Sequence, residues 1–260
     1  MSIATQHWAT TEPDNIALTD ERGSMTWAEL DTTLNQATNA LLGVGLRPGQ
    51  RIAVFAENAA ETVIAHLAGI CAGISTVPIN FHLTAAELQY ILEDSSAGVV
   101  LVGPETAAVA VEAAMAAGVD NVVGWRCDGA VMPWLDFIAQ GSTDEPPTHM
   151  QPQPFLHYTS GTTGRPKGTN TPPTMFAGGN DIAHHFELVR NNPRLGERGV
   201  SMVVSPLYHT GPLGSVRSLA VGNALGGWLG TRLAITRGHA WIRRLVLVVV
   251  IVFAVRLFWS

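Results

Sequence analysis

Tyr158-Thr159-Ser160-Gly161-Thr162-Thr163-Gly164-Arg165-Pro166-Lys167-Gly168 is the run that decides how this 260-residue chain is read. Lys167 is the sole lysine; arginine supplies every other basic side chain. Around that ammonium stand small glycines, which expose backbone, and the hydroxyls of Thr159, Ser160, Thr162 and Thr163. Amides and hydroxyls donate to phosphate oxygens, and a lysine adds a mobile point charge. The composition therefore points to a loop that wraps a polyphosphate, with a flexible Gly/Thr linker as the competing reading.

The run is not a P-loop. Counting from Gly161, Pro166 occupies the second glycine position of G-x-x-x-x-G-K-[ST], and Gly168 follows the lysine where a hydroxyl belongs. Pro166 lacks an N–H and pushes Arg165 out of the helical region, which disfavours a helix opening at Lys167. A loop joining two strands is expected instead.

Upstream, residues 25–125 alternate between helix and strand patterns. Thr26-x-x-Glu29 forms a capping box ahead of Leu30, Leu34, Ala37 and Leu41, and Gly43 and Gly45 supply the stop. Arg51–Ala56 reads as a strand, Asn58-x-x-Glu61 as the opening of a second helix, and Ser75–Asn80 as β-like. Thr84-x-x-Glu87 caps a third helix, Gly98–Gly103 is an apolar strand, and an alanine-rich helix from Glu105 precedes Val119–Trp125. Such alternation implies βαβ crossovers: an α/β fold with mostly parallel sheets flanked by helices. The expected organisation is an N-terminal α/β unit over 1–140 and a proline-rich connection over 141–154. A phosphate-loop segment over 155–225 and an apolar, Arg/Trp-rich tail over 226–260 follow. Between the loop and the tail, a helix is expected from about Thr174 to Leu188; its adjacent His184 and His185 would face different sides and make no metal pair.

Downstream of the run lies Ser205-Pro206-Leu207-Tyr208-His209-Thr210-Gly211. Taken alone, His209 is an ordinary loop histidine.

Residues 158–168 resemble throughout the phosphate-binding signature of the adenylate-forming, or AMP-binding, superfamily, Tyr-Thr-Ser-Gly-[Ser/Thr]-Thr-Gly-x-Pro-Lys-Gly. Residues 205–211 look like that family's Pro-Leu-[Phe/Tyr]-His segment. The resemblance covers about residues 14–225 and favours the acyl-CoA synthetase and fatty-acid–CoA ligase type. It implies ATP, Mg²⁺ and coenzyme A, a small carboxylic acid as substrate, and a reaction through an acyl-adenylate. By that resemblance Thr159, Ser160, Gly161, Thr162, Thr163, Gly164 and Lys167 hold the ATP phosphates, while His209 serves the reaction and Tyr208 borders the substrate with it. Metal ligands stay unassigned. Asn170-Thr171-Pro172 departs from the family's usual Ser-His-Arg type of triplet.

The family's later motifs, Tyr-Gly-x-Thr-Glu, Thr-Gly-Asp and Pro-Lys-x-x-x-Gly-Lys, are not in the sequence. The expectation is a truncated chain, inactive by itself, with a shifted reading frame near 225–227 as the hypothesis for its tail. A non-catalytic phosphate- or nucleotide-binding remnant is the alternative. All 21 acids lie in residues 1–225, whereas 226–260 carry arginines only. The acidic body offers no basic stripe for nucleic acid. The run Leu245–Val255 is shorter than the ~20 residues that span a bilayer. An aggregation-prone segment is favoured over membrane contact through 241–260. Cys71 and Cys127 form no C-x-x-C pair, so free thiols are expected. Met1–Thr11 lacks the apolar core of a secretory signal, which makes the cytoplasm the expected compartment, with peripheral membrane association as the alternative.

Overall fold

The computed structural model describes residues 4–47, 49–159, 165–192, 199–222 and 224–226. The apolar run of the tail lies outside them, as do Ser160–Gly164. Both threonine capping boxes form. Thr26 Oγ1 accepts from Glu29 N and Glu29 Oε2 accepts from Thr26 N at the head of α2, Trp27–Gly43. Thr84 and Glu87 do the same for α4, Ala85–Ser95. The apolar positions of α2 at i, i+4, i+7 and i+11 are the ones it buries: Leu30, Leu34, Ala37 and Leu41.

The central sheet has the order β4-β3-β5-β6-β7, all parallel. Its strands are β3 (Arg51–Phe55), β4 (Thr76–Pro78), β5 (Ala97–Val102), β6 (Asn121–Gly124) and β7 (Met132–Pro133). Period-2 geometry splits each strand between two cores. Ile52, Val54, Val99, Leu101 and Val123 face α2, α3 (Ala60–Cys71) and α6 (Trp134–Ile138). Ala53, Phe55, Val100, Val102 and Val122 face α4 and α5 (Ala107–Ala117). Burial on both faces is why these strands read as unbroken apolar runs.

A second sheet, β10-β11-β1-β2, joins the two ends of the described chain. It combines β1 (Ile16–Thr19) and β2 (Ser24–Thr26), an antiparallel pair, with β10 (Val200–Met202) and β11 (Ala224–Gly226). Strand β11 runs parallel to both β1 and β10. A short helix α1, Gln6–Thr11, leads into this sheet and packs on α2.

Residues 141–154 hold no helix or strand, yet they are tied to α2. Asn39 Nδ2 donates to Ser142 O and Asp144 O, both at 2.9 Å, and Asn35 Nδ2 to Thr143 O at 3.2 Å. A Cβ on Gly141 would stand 2.1 Å from Gln36 O, so only glycine permits this close approach to the helix.

Two elements differ from their sequence expectation. Asn58 caps no helix: α3 starts at Ala60 with Ala59 as its N-cap residue. Asp20, from the β1–β2 turn, supplies the acceptor to Ala60 N at 3.1 Å. Glu61 is spent on Arg126 at 2.6 Å. The helix expected from Thr174 begins only at Ile182 and runs to Arg190 as α7, with Asp181 accepting from His184 N at 2.7 Å. Gly178 and Gly179 adopt φ of 67° and 134°, which a continuing right-handed helix excludes.

Replacing Thr84 by alanine removes a capping acceptor and should cost about 1 kcal/mol of stability. Urea unfolding checks this, with Glu93→Ala on the exposed face of the same helix as the control expected to change little.

Candidate functional site

The phosphate-type run lies between two strands. Strands β8 (Leu156–Thr159) and β9 (Lys167–Asn170) pair antiparallel, with Thr159 opposite Lys167, Tyr158 opposite Gly168 and Leu156 opposite Asn170. Thr159 and Lys167 are both exposed at the open end of this hairpin. Ser160, Gly161, Thr162, Thr163 and Gly164 connect them and lie outside the described residues.

Several attachments hold the hairpin. Phe155 enters the core under α3, and Leu156, its neighbour, enters the core under α4. The Tyr158 hydroxyl donates to Asp94 Oδ2 at 2.5 Å. Burial first, and then this hydrogen bond, push the Tyr158 phenol well above its ordinary value, so it stays a donor. The Tyr90 hydroxyl donates to Pro166 O at 3.1 Å, and the Arg165 guanidinium lies 5.2 Å from the Tyr90 ring centroid. Helix α4 therefore grips both strands. Gly168 has a close-approach role: a Cβ there would come within 3.2 Å of Leu156 and 3.3 Å of the Tyr158 ring. Thr171 follows the second strand. It is buried, and both its N and its Oγ1 donate to Phe155 O, at 2.8 and 3.2 Å, which extends the ladder past Asn170.

The second motif follows β10. Asn58, just past the C-terminal end of β3, clamps it: Nδ2 donates to Ser205 O at 3.0 Å, and Oδ1 accepts from Leu207 N at 2.8 Å. Leu207 is buried beneath the loop. The Tyr208 ring meets Phe81 edge-on at 5.6 Å. Exposed His209 is the N-cap residue of a short helix α8, Thr210–Gly214, with its ring 4.3 Å from that of Tyr208.

The fold brings these two motifs together. Thr210 Oγ1 approaches His157 Nε2, on β8, at 3.5 Å. Asn58 and Phe81 follow the C-terminal ends of β3 and β4, beside the point where the strand order reverses between β3 and β5. Ligand crevices of open parallel sheets form at such points. Asn58, Phe81, His157, Tyr90 and Asp94 were not singled out as site residues from sequence. Asn58 reads as a helix cap there, and the others carry no periodic or motif signal.

Two histidines of this region are pushed below their ordinary value. His157 is depressed by burial. His66, on α3 behind Phe155 with ring centroids 5.8 Å apart, is driven down to about 3 by burial and then by His157. Among the described residues no group of three or more His, Cys, Asp or Glu side chains is arranged to hold a metal.

Tyr158→Phe should loosen the hairpin, at a cost of about 1 kcal/mol, because the bond is charge-assisted but partly solvated. Amide exchange should quicken over 156–159 and 167–170 and stay unchanged in β5; equal exchange in both would show that Asp94 is no anchor. His66 sets a pH dependence. Its folded pKa lies below its unfolded 6.5, so its stabilising contribution is full above 6.5 and falls as pH drops toward 3. Between pH 6.5 and about 5 the protein should lose on the order of 1 kcal/mol per pH unit more than His66→Leu does, read from urea midpoints. Parallel pH curves for the two would contradict a neutral buried imidazole.

Residues 5–230 match the family described as AMP-binding enzyme. The chain is 34% identical over 198 residues to a feruloyl-CoA synthase of an Amycolatopsis species, covering 74% of this chain and 36% of the other. It is 30% identical over 203 residues to a long-chain fatty-acid–CoA ligase of Mycobacterium tuberculosis, covering 74% and 37%. The inhibitor-bound N-terminal domain of FACL13 from Mycobacterium tuberculosis shares the fold, with a TM-score of 0.69 at 24% identity over 87% of this chain and 57% of that one. The chain thus spans little more than a third of the length of these curated relatives. No described helix is long and apolar enough to cross a membrane. With a family match over most of its length, and a hairpin and tethered loop built from the residues that carry the resemblance, the chain belongs to the AMP-binding enzyme family, among relatives named as acyl-CoA ligases.

Proposed function

We propose that this chain carries the phosphate-binding part of an ATP-dependent acid–thiol ligase that works through an acyl-adenylate. The observation that supports this best is the pairing of Thr159 with Lys167 at the open end of an anchored hairpin. It sets the two ends of the glycine- and hydroxyl-rich run side by side, with one ammonium at the second end. Thr159, Ser160, Gly161, Thr162, Thr163 and Gly164 would donate to the outer phosphates of ATP, and Lys167 would offset part of their charge. Such electrostatic work is what phosphoryl-transfer sites chiefly do.

His209 and Tyr208 would border the carboxylate, since the Asn58 clamp and Phe81 fix their loop beside the hairpin. Coenzyme A would be the thiol substrate. Mg²⁺ would supply further neutralisation of the phosphates, but no ligand set for it is assigned to this chain. The relatives' names, one an aromatic acid and one a long-chain acid, leave the carboxylate of this chain at the level of a class.

Turnover by the 260-residue chain is not expected. The family's Thr-Gly-Asp and Pro-Lys-x-x-x-Gly-Lys motifs are not in the sequence, and losing one preorganised donor already costs about 10²–10³ in rate. With ATP, Mg²⁺ and a panel of carboxylic acids, pyrophosphate release should match a protein-free control; acid-dependent release would overturn inactivity. Calorimetric titration with ATP should still detect weak binding, reduced by about tenfold or more in Lys167→Ala, the loss of one charge-assisted contact. Equal affinity in wild type and variant would refute the assignment of Lys167 to the phosphates.

A further inference from the structure

Two helices end beside the start of β6. Helix α2 stops at Gly43 and α5 at Ala117, and neither has a basic residue in its last turn. The unpaired carbonyls at the C-terminal end of a helix amount to about half a negative charge. Asp120, one residue ahead of β6, adds a full one, and it is exposed. The ion pairs among the described residues, Arg22–Glu21 and Arg126–Glu61, leave it out. Because the strands are parallel, this edge of the sheet is opposite the one that carries Asn58 and Phe81.

A cavity of about 390 Å³ lies here between α2, β6, β7 and α6, and among the described residues Asp120 is the one charged side chain that lines it. Its other polar side chains direct their amide nitrogens to the protein. Gln140 Nε2 donates to Asp136 O at 3.3 Å and to Met132 Sδ at 3.6 Å, and Asn121 Nδ2 donates to Gly98 O at 3.2 Å. Neither amide oxygen accepts from a described residue. What the cavity holds for a ligand is therefore acceptors: a carboxylate, two amide oxygens and the end of α2. Val44, Met132 and Phe137 add an apolar wall. A second cavity, of about 200 Å³, reaches Asp120 from the α5 side and is likewise lined by no basic residue.

We propose that the larger cavity binds a small primary alkylammonium. Such a group has three N–H donors and no acceptor, the complement of a site with acceptors alone to give. The ammonium donates to the Asp120 carboxylate and to the amide oxygens of Asn121 and Gln140, and its alkyl chain lies on Val44, Met132 and Phe137. One carboxylate balances one positive charge. Among the described residues no group of three or more His, Cys, Asp or Glu is arranged to hold a metal, so a monocation fits better than a divalent ion. The volume falls within the range of about 300–1,000 Å³ usual for small-molecule sites. This site is independent of the hairpin around Lys167 and of the ligase assignment.

The test is a titration of the isotope-labelled 260-residue chain with butylammonium chloride, against sodium chloride and tetramethylammonium chloride at matched ionic strength. The side-chain amide resonances of Asn121 and Gln140 and the methyl resonances of Val44 and Met132 are the readout. The expected result is a saturable, millimolar response to butylammonium, with a weaker one to tetramethylammonium, which has no N–H. Affinity should rise from ethylammonium to butylammonium, by up to about fourfold for each methylene buried. Asp120→Asn should weaken binding by roughly fivefold, the upper end for one exposed ion pair. The Asp120 side chain bonds no described residue, so this variant keeps the fold; Asp128→Asn, outside the cavity, is the control that should bind like wild type. If the resonances follow sodium or tetramethylammonium as they follow butylammonium, or if Asp120→Asn binds like wild type, no such site exists.

Discussion

A pair of four-residue strands cannot hold its own shape in water, and the arrangement of the phosphate-type run depends on what holds β8 and β9 in place. Core burial and two tyrosine hydrogen bonds do so. Phe155 and Leu156 enter opposite cores, so the strand cannot roll about its axis without exposing one of them. Tyr158 bonds a carboxylate on α4, and Tyr90, on the same helix, bonds the carbonyl of Pro166. Strand β8 is thus fixed by the helices and cores around it, and the carbonyl just ahead of β9 by α4.

The same reasoning applies to the second motif. Residues 205–209 form no helix or strand; beyond one turn bond from His209 N to Pro206 O, they are held by Asn58 just beyond β3 and Phe81 just beyond β4. Both belong to loops at the C-terminal edge of a parallel sheet, where the amide and aromatic groups are fixed by strands buried on both faces. Contacts between α3 and the 3-10 helix, and between β1 and β11, draw the later residues onto the earlier α/β unit. The candidate site is thus assembled from segments more than a hundred residues apart, and its geometry is a property of the sheet.

Local signals were legible in the sequence wherever one residue type has one physical use. Thr26, Thr84 and their glutamates stand before apolar periodicity and cap what they were expected to cap. The apolar strands 51–56 and 98–103 match β3 and β5 closely because burial on both faces leaves no other composition. Pro166 correctly announced a strand after the run. The misreadings come from residues with several uses. Asn58 has the right spacing to Glu61 for a cap, but its amide can both donate and accept, and that pairing is worth more to an irregular loop than to a helix start. The apolar pattern after Thr174 concealed Gly178 and Gly179, whose conformation delays α7 to Ile182. Long-range pairings such as β11 between β1 and β10 leave no trace in a short window, since each strand is only three or four residues.

The electrostatics of the hairpin end follow from what surrounds it more than from the net charge of −6. At physiological salt, charges separated by more than about 8 Å in solvent are largely screened. Lys167, which opens β9, and Arg165, two residues before it, are both exposed at this end. The nearest acid on α4, Asp94, already accepts from Tyr158, so its charge is partly satisfied by a bond that also fixes the strand. His157 faces the second motif, its imidazole pushed below its ordinary value by burial.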